Sequence, residues 1–115
     1  MASSARRMVL PATPTRDFCQ WIATACEAIE KGRCLEIGYE DFVRIVEVHR
    51  LGIGPAGEHL LSGWQIRGPV NERMGWKLIN LSEPLSLTLT DIPSRAPRPD
   101  FRRGAKQFIG IISQL

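Results

Sequence analysis

Two histidines, three cysteines and scattered carboxylates are the chemically able residues of this 115-residue chain, and their spacing limits what they can do. His49 and His59 stand either side of Gly54-Pro55-Ala56-Gly57, a turn with proline second and glycine fourth, the type I signature. On the hairpin this implies, the two imidazoles occupy neighbouring strands at similar distances from the turn and can approach one another. A zinc site needs a third or fourth ligand. Glu47 and Glu58 are near in sequence, but adjacent residues of a strand point to opposite faces. No H-x-E, H-E-x-x-H or C-x-x-C pattern is present. The expectation is a pair of partly buried, hydrogen-bonded histidines with no metal and no cofactor.

Cys19, Cys26 and Cys34 have the spacing C-x6-C-x7-C. The first two lie two helical turns apart, about 11 Å of rise, too far for a disulfide between them. They read as small buried hydrophobes, and Cys34 as an exposed residue at a strand start. An odd cysteine count fits a reducing compartment. Ser62 and Ser82 lack base and orienting partners, no carboxylate pair suits glycoside chemistry, and neither common glycine-rich phosphate loop occurs. The chain is not read as an enzyme.

What remains is a binding signal. Trp64 and Trp76, with Gln65, Arg67, Arg73 and Lys77, gather on two consecutive strands and their loop. Aromatic faces beside cations suit stacking on bases with phosphate contact; the alternative is that both tryptophans fill the core. Lys77 and Trp76 alternate, so one of them must point away from the core. Net charge is +3, and the cations cluster at the ends: Arg6, Arg7 and Arg16, then Arg95, Arg98, Arg102, Arg103 and Lys106. Such runs attract polyanions or simply solvate a surface.

The elements positioning these residues follow from periodicity. Residues 1–14 read as a flexible basic arm and 15–115 as one domain. Thr15 caps, and Asp17 opens, a helix with Phe18, Ile22, Ala25 and Ile29 on one stripe, ended by Gly32. Period two then sets in with Leu35, Ile37 and Tyr39. Val43 and Ile45 differ in parity from Val46 and Val48, which implies a bulge or a strand apolar on both faces. His59–Arg67, Trp76–Leu81 and Leu85–Thr90 supply the remaining strands. The proline-rich run "DIPSRAPRPDFRRG" cannot extend the sheet and becomes a surface connector. Ala105–Gln114 forms a closing helix with Phe108, Ile111 and Ile112 inward. The sum is a mainly β (α+β) domain, a five-stranded bent barrel between two helices. No apolar run approaches the roughly 20 residues of a membrane span, the N-terminus lacks a signal-peptide core, and a cytoplasmic protein is expected.

The run "AIEKGRCLEIGYEDFVRIVEVHRLGIGPAGEHLLSGWQIRG", then "GWKLINLSEPLSL" and the ending "APRPDFRRGAKQFIGIISQL", resembles WYL-domain proteins, particularly short stand-alone ones. Val48, His49, Leu51 and Gly52, with Gly75–Leu78, are its most specific pieces, and the likeness covers roughly Phe18 to Leu115. The resemblance implies an SH3- or Sm-like barrel that senses an anionic ligand, a nucleotide or single-stranded nucleic acid, in bacterial transcription or defence regulation. By that likeness His49 matches the histidine ending the second strand, and Lys77 an expected basic position. Asn80 and Glu83 stand where the longer regulators carry arginines. The triplet that names the family falls on His59, Leu60 and Leu61, of which only the leucine at 61 agrees. Lacking a helix-turn-helix, the chain would regulate through a partner or by competing for a ligand. The sequence thus points to His49, Trp64, Arg67, Arg73 and Lys77 as ligand contacts, with Arg95, Arg98, Arg102 and Arg103 as an electrostatic aid. The competing reading is a protein-interaction or homo-oligomerisation module whose apolar strand faces and proline-rich tail dock a partner.

Overall fold

A computed structural model of the chain describes residues 18–101 and 107–115. The expected arm, Thr15, Asp17, Arg102, Arg103 and Lys106 lie outside the described residues. Helix α1 (Phe18–Lys31) is followed by β1 (Arg33–Tyr39), β2 (Phe42–Ile53), β3 (His59–Arg67), β4 (Gly75–Asn80), β5 (Ser86–Pro93) and β6 (Gly110–Gln114). All pair antiparallel in one six-stranded sheet, ordered β4-β3-β2-β1-β5, with β6 on β2. No ladder among the described residues joins β4 to β5, so the sheet is open rather than a closed barrel, and it has six strands, not five.

Helix α1 ends where Gly32 turns to φ 65°, a left-handed conformation that glycine adopts without strain. Its buried face is Trp21, Ala25, Ala28 and Ile29, with Phe18 and Ile22 packed beside them. The stripe at Ala25 and Ile29 is therefore as expected, but Trp21 and Ala28 widen it. They meet Leu35, Ile37, Val46, Val48, Leu51, Leu61, Ile79, Leu81 and Leu87, which form the core. Full burial of each such aliphatic side chain contributes about 1.5–3 kcal/mol.

Strand β2 organises the sheet. It pairs with β3 along Ile45–Ile53, with β1 along Phe42–Val46 and with β6 along Arg50–Ile53. A strand has two edges, so β1 and β6 share the one opposite β3, each taking half. Register shifts at Ile45/Val46 and Val48/Arg50 account for the change of parity. Arg44 through Gly52 are all buried. Val46, Val48 and Leu51 join the core under α1, while Glu47, His49 and Arg50 are buried under the segment 94–101, which crosses the opposite face as a strap.

The described part of the closing segment, 107–115, is not a helix. Residues 110–114 form β6, and Ile111 and Ile112 are 40% and 41% exposed rather than turned inward. The apolar spacing at 108, 111 and 112 fits a helix, but unpaired N–H and C=O groups on β2 offer a ladder that the short segment takes instead. The run "DIP" also departs from expectation: Asp91–Pro93 continue β5, and Pro93 pairs with Arg33 at a register shift on an edge strand, where its missing N–H is tolerated. At the far end of β2, Arg44 grips Glu72 with Nε and Nη2 (2.9 and 2.8 Å) and lies 3.8 Å above the Tyr39 ring. Gln65 donates to the same carboxylate at 2.5 Å. The Arg44 bonds above all hold the Glu72 carboxyl down to about 2 and tie the 68–74 loop to the sheet.

Candidate functional site

The polar face of β2 carries the site. Glu47, 1% exposed, accepts from Arg98 Nε at 2.6 Å, Arg98 Nη2 at 3.1 Å and the Arg95 N–H at 2.7 Å. Burial acts to raise its carboxyl, but the Arg98 and Arg95 hydrogen bonds and the Arg98 charge outweigh this and leave it below the ordinary range. The same Arg98 guanidinium lies 5.3 Å over the Trp64 ring.

His49 is fully buried and both ring nitrogens are engaged. Nδ1 lies 3.0 Å from the Glu47 carbonyl, which can only accept, so Nδ1 carries the proton. Nε2 then accepts the Arg98 N–H at 2.9 Å. Burial, aided by Arg98 and Arg50, lowers its pKa despite the Glu47 contacts. The imidazole packs edge-on against Trp76 at 4.7 Å and tilted against Phe101 at 5.2 Å, wedged between a strand ring and a strap ring. His59 is elsewhere: it packs edge-on to Phe18 of α1 at 4.8 Å, on the helix side of the sheet. The pair therefore does not converge, and no group of three or more His, Cys, Asp and Glu placed to hold a metal occurs among the described residues.

Trp64 and Trp76 are cross-strand partners on β3 and β4, their rings edge-on at 5.5 Å. Neither fills the core under α1. Trp64 is half-buried under Arg98, and Trp76 is 38% exposed. Beside Trp76 a cleft of about 370 Å³ opens between β2–β4 and the strap, lined by Arg50, Ser62, Trp76, Lys77, Leu78, Asp100, Phe101 and Gln107. Arg50 reaches it from below, bonded through Nε to Gln114 at 3.0 Å and sandwiched near the rings of Phe101 (4.8 Å) and Phe108 (5.4 Å). A second cavity of about 510 Å³ lies behind the Glu47–Arg98 pair, between Ile66, Ile92, Pro93 and Arg95.

Of the residues expected to act together, His49, Trp64, Trp76 and Arg98 share one face. Lys77 lines the cleft, and its charge also reaches Glu72. Arg67 is exposed at the end of β3, Arg73 in the following loop, and Arg95 on the strap, where its main chain rather than its side chain holds Glu47. Sequence reasoning did not single out Arg50, Asp100 or Phe101, and set Glu47 aside. The signal was the alternation in "RIVEVHR", whose polar members fall together once a bulge is allowed. The cysteines also reverse: Cys19 is exposed, Cys26 half-buried, and Cys34 fully buried, with burial pushing its thiol to about 11. No helix of the described residues is long and apolar enough to cross a membrane. Comparison of the chain with protein families, with curated proteins and with solved structures gives no match.

Proposed function

We propose that the protein is a stand-alone WYL-like regulatory module that binds an anionic ligand with a flat ring, a nucleotide or a stretch of single-stranded nucleic acid. One observation carries the reading: an exposed tryptophan ring, Trp76, borders a cleft that also holds the Arg50 and Lys77 cations. A base stacks on Trp76 while its phosphate meets the cations, and the exposed Arg67 and Arg73, which do not line the cleft, add long-range attraction only. His49 and Trp64 support Trp76 from beneath instead of touching ligand. Regulation then follows from occupancy of the cleft, through a DNA-binding partner or by competition for the ligand. The small open sheet is compatible with an SH3- or Sm-like frame.

The test is fluorescence anisotropy with labelled single-stranded DNA and RNA, and competition by mononucleotides, at two salt concentrations. Binding should weaken steeply with salt. Trp76→Ala should remove a stacking contribution of about 1–3 kcal/mol, roughly a 5- to 150-fold loss of affinity. A flat titration at low salt with every probe refutes the proposal.

One observation favours the interaction-module reading instead. Ile109, Ile111 and Ile112 are exposed on or beside β6, whose outer edge has no partner strand among the described residues. Apolar edges of this kind template pairing with another chain. Self-association insensitive to salt, with no affinity for nucleotides, would support that alternative.

A further inference from the structure

We propose that His49 is a proton-operated latch that holds the 94–101 strap across the sheet and, when protonated, releases it. The geometry sets the direction. The strap is fixed to β2 at three places: Arg95 N–H to Glu47, the Arg98 guanidinium to Glu47, and Arg98 N–H to His49 Nε2. The last requires a bare lone pair on Nε2. Since Nδ1 already spends its proton on the Glu47 carbonyl, a second proton can only go to Nε2, where it faces the Arg98 N–H donor to donor.

The charges around the ring act the same way on balance. From β2, Arg50 and Glu47 face it; from the strap, Arg98; from β4, the uncharged Trp76; and the Leu115 N–H holds its carbonyl at 3.2 Å. Two cations oppose the new charge, and the Glu47 carboxylate that would favour it is already engaged by Arg98. Phe101 follows Arg98 in the strap and packs on the imidazole, so losing the latch withdraws the Asp100–Phe101 wall of the cleft. A released His49 regains its ordinary pKa near 6.5, above the lowered value of the latched state. Release therefore takes up a proton, and acid drives it between those two values.

Nitrogen-15 spectra of the two histidine rings, recorded with amide-exchange protection factors across pH 4–8, test this on the full chain. Wild type should show His49 as the Nδ1–H tautomer at neutral pH. Protection at the Arg95 and Arg98 amides should then fall by up to about tenfold per pH unit as one proton is taken up, while Leu61 in the core stays protected. In His49→Gln, strap protection should be independent of pH down to the ordinary 4.5 of a glutamate, below which Glu47 begins to lose its own hold on the strap. Protection that stays flat while His49 titrates overturns the proposal. So does a His49 that remains neutral until Leu61 also exchanges, and these wild-type readings decide the matter even if the variant does not fold.

Discussion

Replacing Glu47 with glutamine tests how the strap is held. The carboxylate offers two oxygens to three N–H donors: Arg98 Nε on Oε1, and Arg98 Nη2 and the Arg95 amide on Oε2. A glutamine can place its oxygen at either site, and its NH₂ then confronts at least one donor in a position 1% exposed to water. An unsatisfied buried donor costs about 1–3 kcal/mol, and the surviving bonds weaken with loss of the charge. At about 2 kcal/mol, and about 4–8 °C per kcal/mol for a domain of this size, Glu47→Gln should lower Tm by roughly 8–16 °C. The assay is thermal unfolding by circular dichroism at pH 7, with the exposed Glu36→Gln as control. The gap between wild type and variant should also narrow in acid. The Glu47 carboxyl is held below its ordinary 4.5, so its contribution is complete above that value and disappears as pH falls through the depressed one. A fall in Tm no larger than that of Glu36→Gln would refute the argument that this buried acceptor fastens the strap.

Two further outcomes follow from packing and thiol environment. Gly52→Ala would set a Cβ against the Gly110 carbonyl and 2.7 Å from the Phe108 ring; backbone cannot yield as a side chain does, so β6 should loosen at a cost of about 1–3 kcal/mol, seen as faster amide exchange at Ile111. With iodoacetamide near pH 8, peptide mass spectrometry should find Cys19 alkylated well ahead of Cys34, whose thiol is both inaccessible and raised to about 11; equal labelling would contradict the burial.

The sequence carried the elements more faithfully than their environments. Helix α1 and strands β1 to β5 are visible in the spacing of Phe18, Ala25 and Ile29 and in the alternation through Leu35, Ile37 and Leu87, because one face of each is apolar. The segment 110–114 was misleading: Phe108, Ile111 and Ile112 suit a helix, and only the vacant half of the β2 edge, a tertiary feature, makes it a strand. The candidate site was half legible. His49 and the two tryptophans stood out by residue type, but their partners Arg98 and Phe101 are some fifty residues or less away along a proline-rich run that has no period to read. Glu47 was set aside as if it were adjacent to His49, although residues two apart on a strand share a face; the strap that crosses this face and engages both had no period to announce it.

The strap's attachment also fixes the order in which the protein can be finished. Glu47, His49 and Arg50 leave the ribosome 48 to 64 residues ahead of the strap and β6 groups that satisfy them. At about 5–20 residues per second, that is roughly 2–13 s in which β2 has an apolar face ready to collapse and a polar face that must stay wet. The hydrophobic half of the sheet can assemble early, and the polar half closes only when the strap and β6 have been made. A nascent chain halted before Arg95 would therefore display a buried-type carboxylate and imidazole to solvent, and that is the form a chaperone or protease would meet.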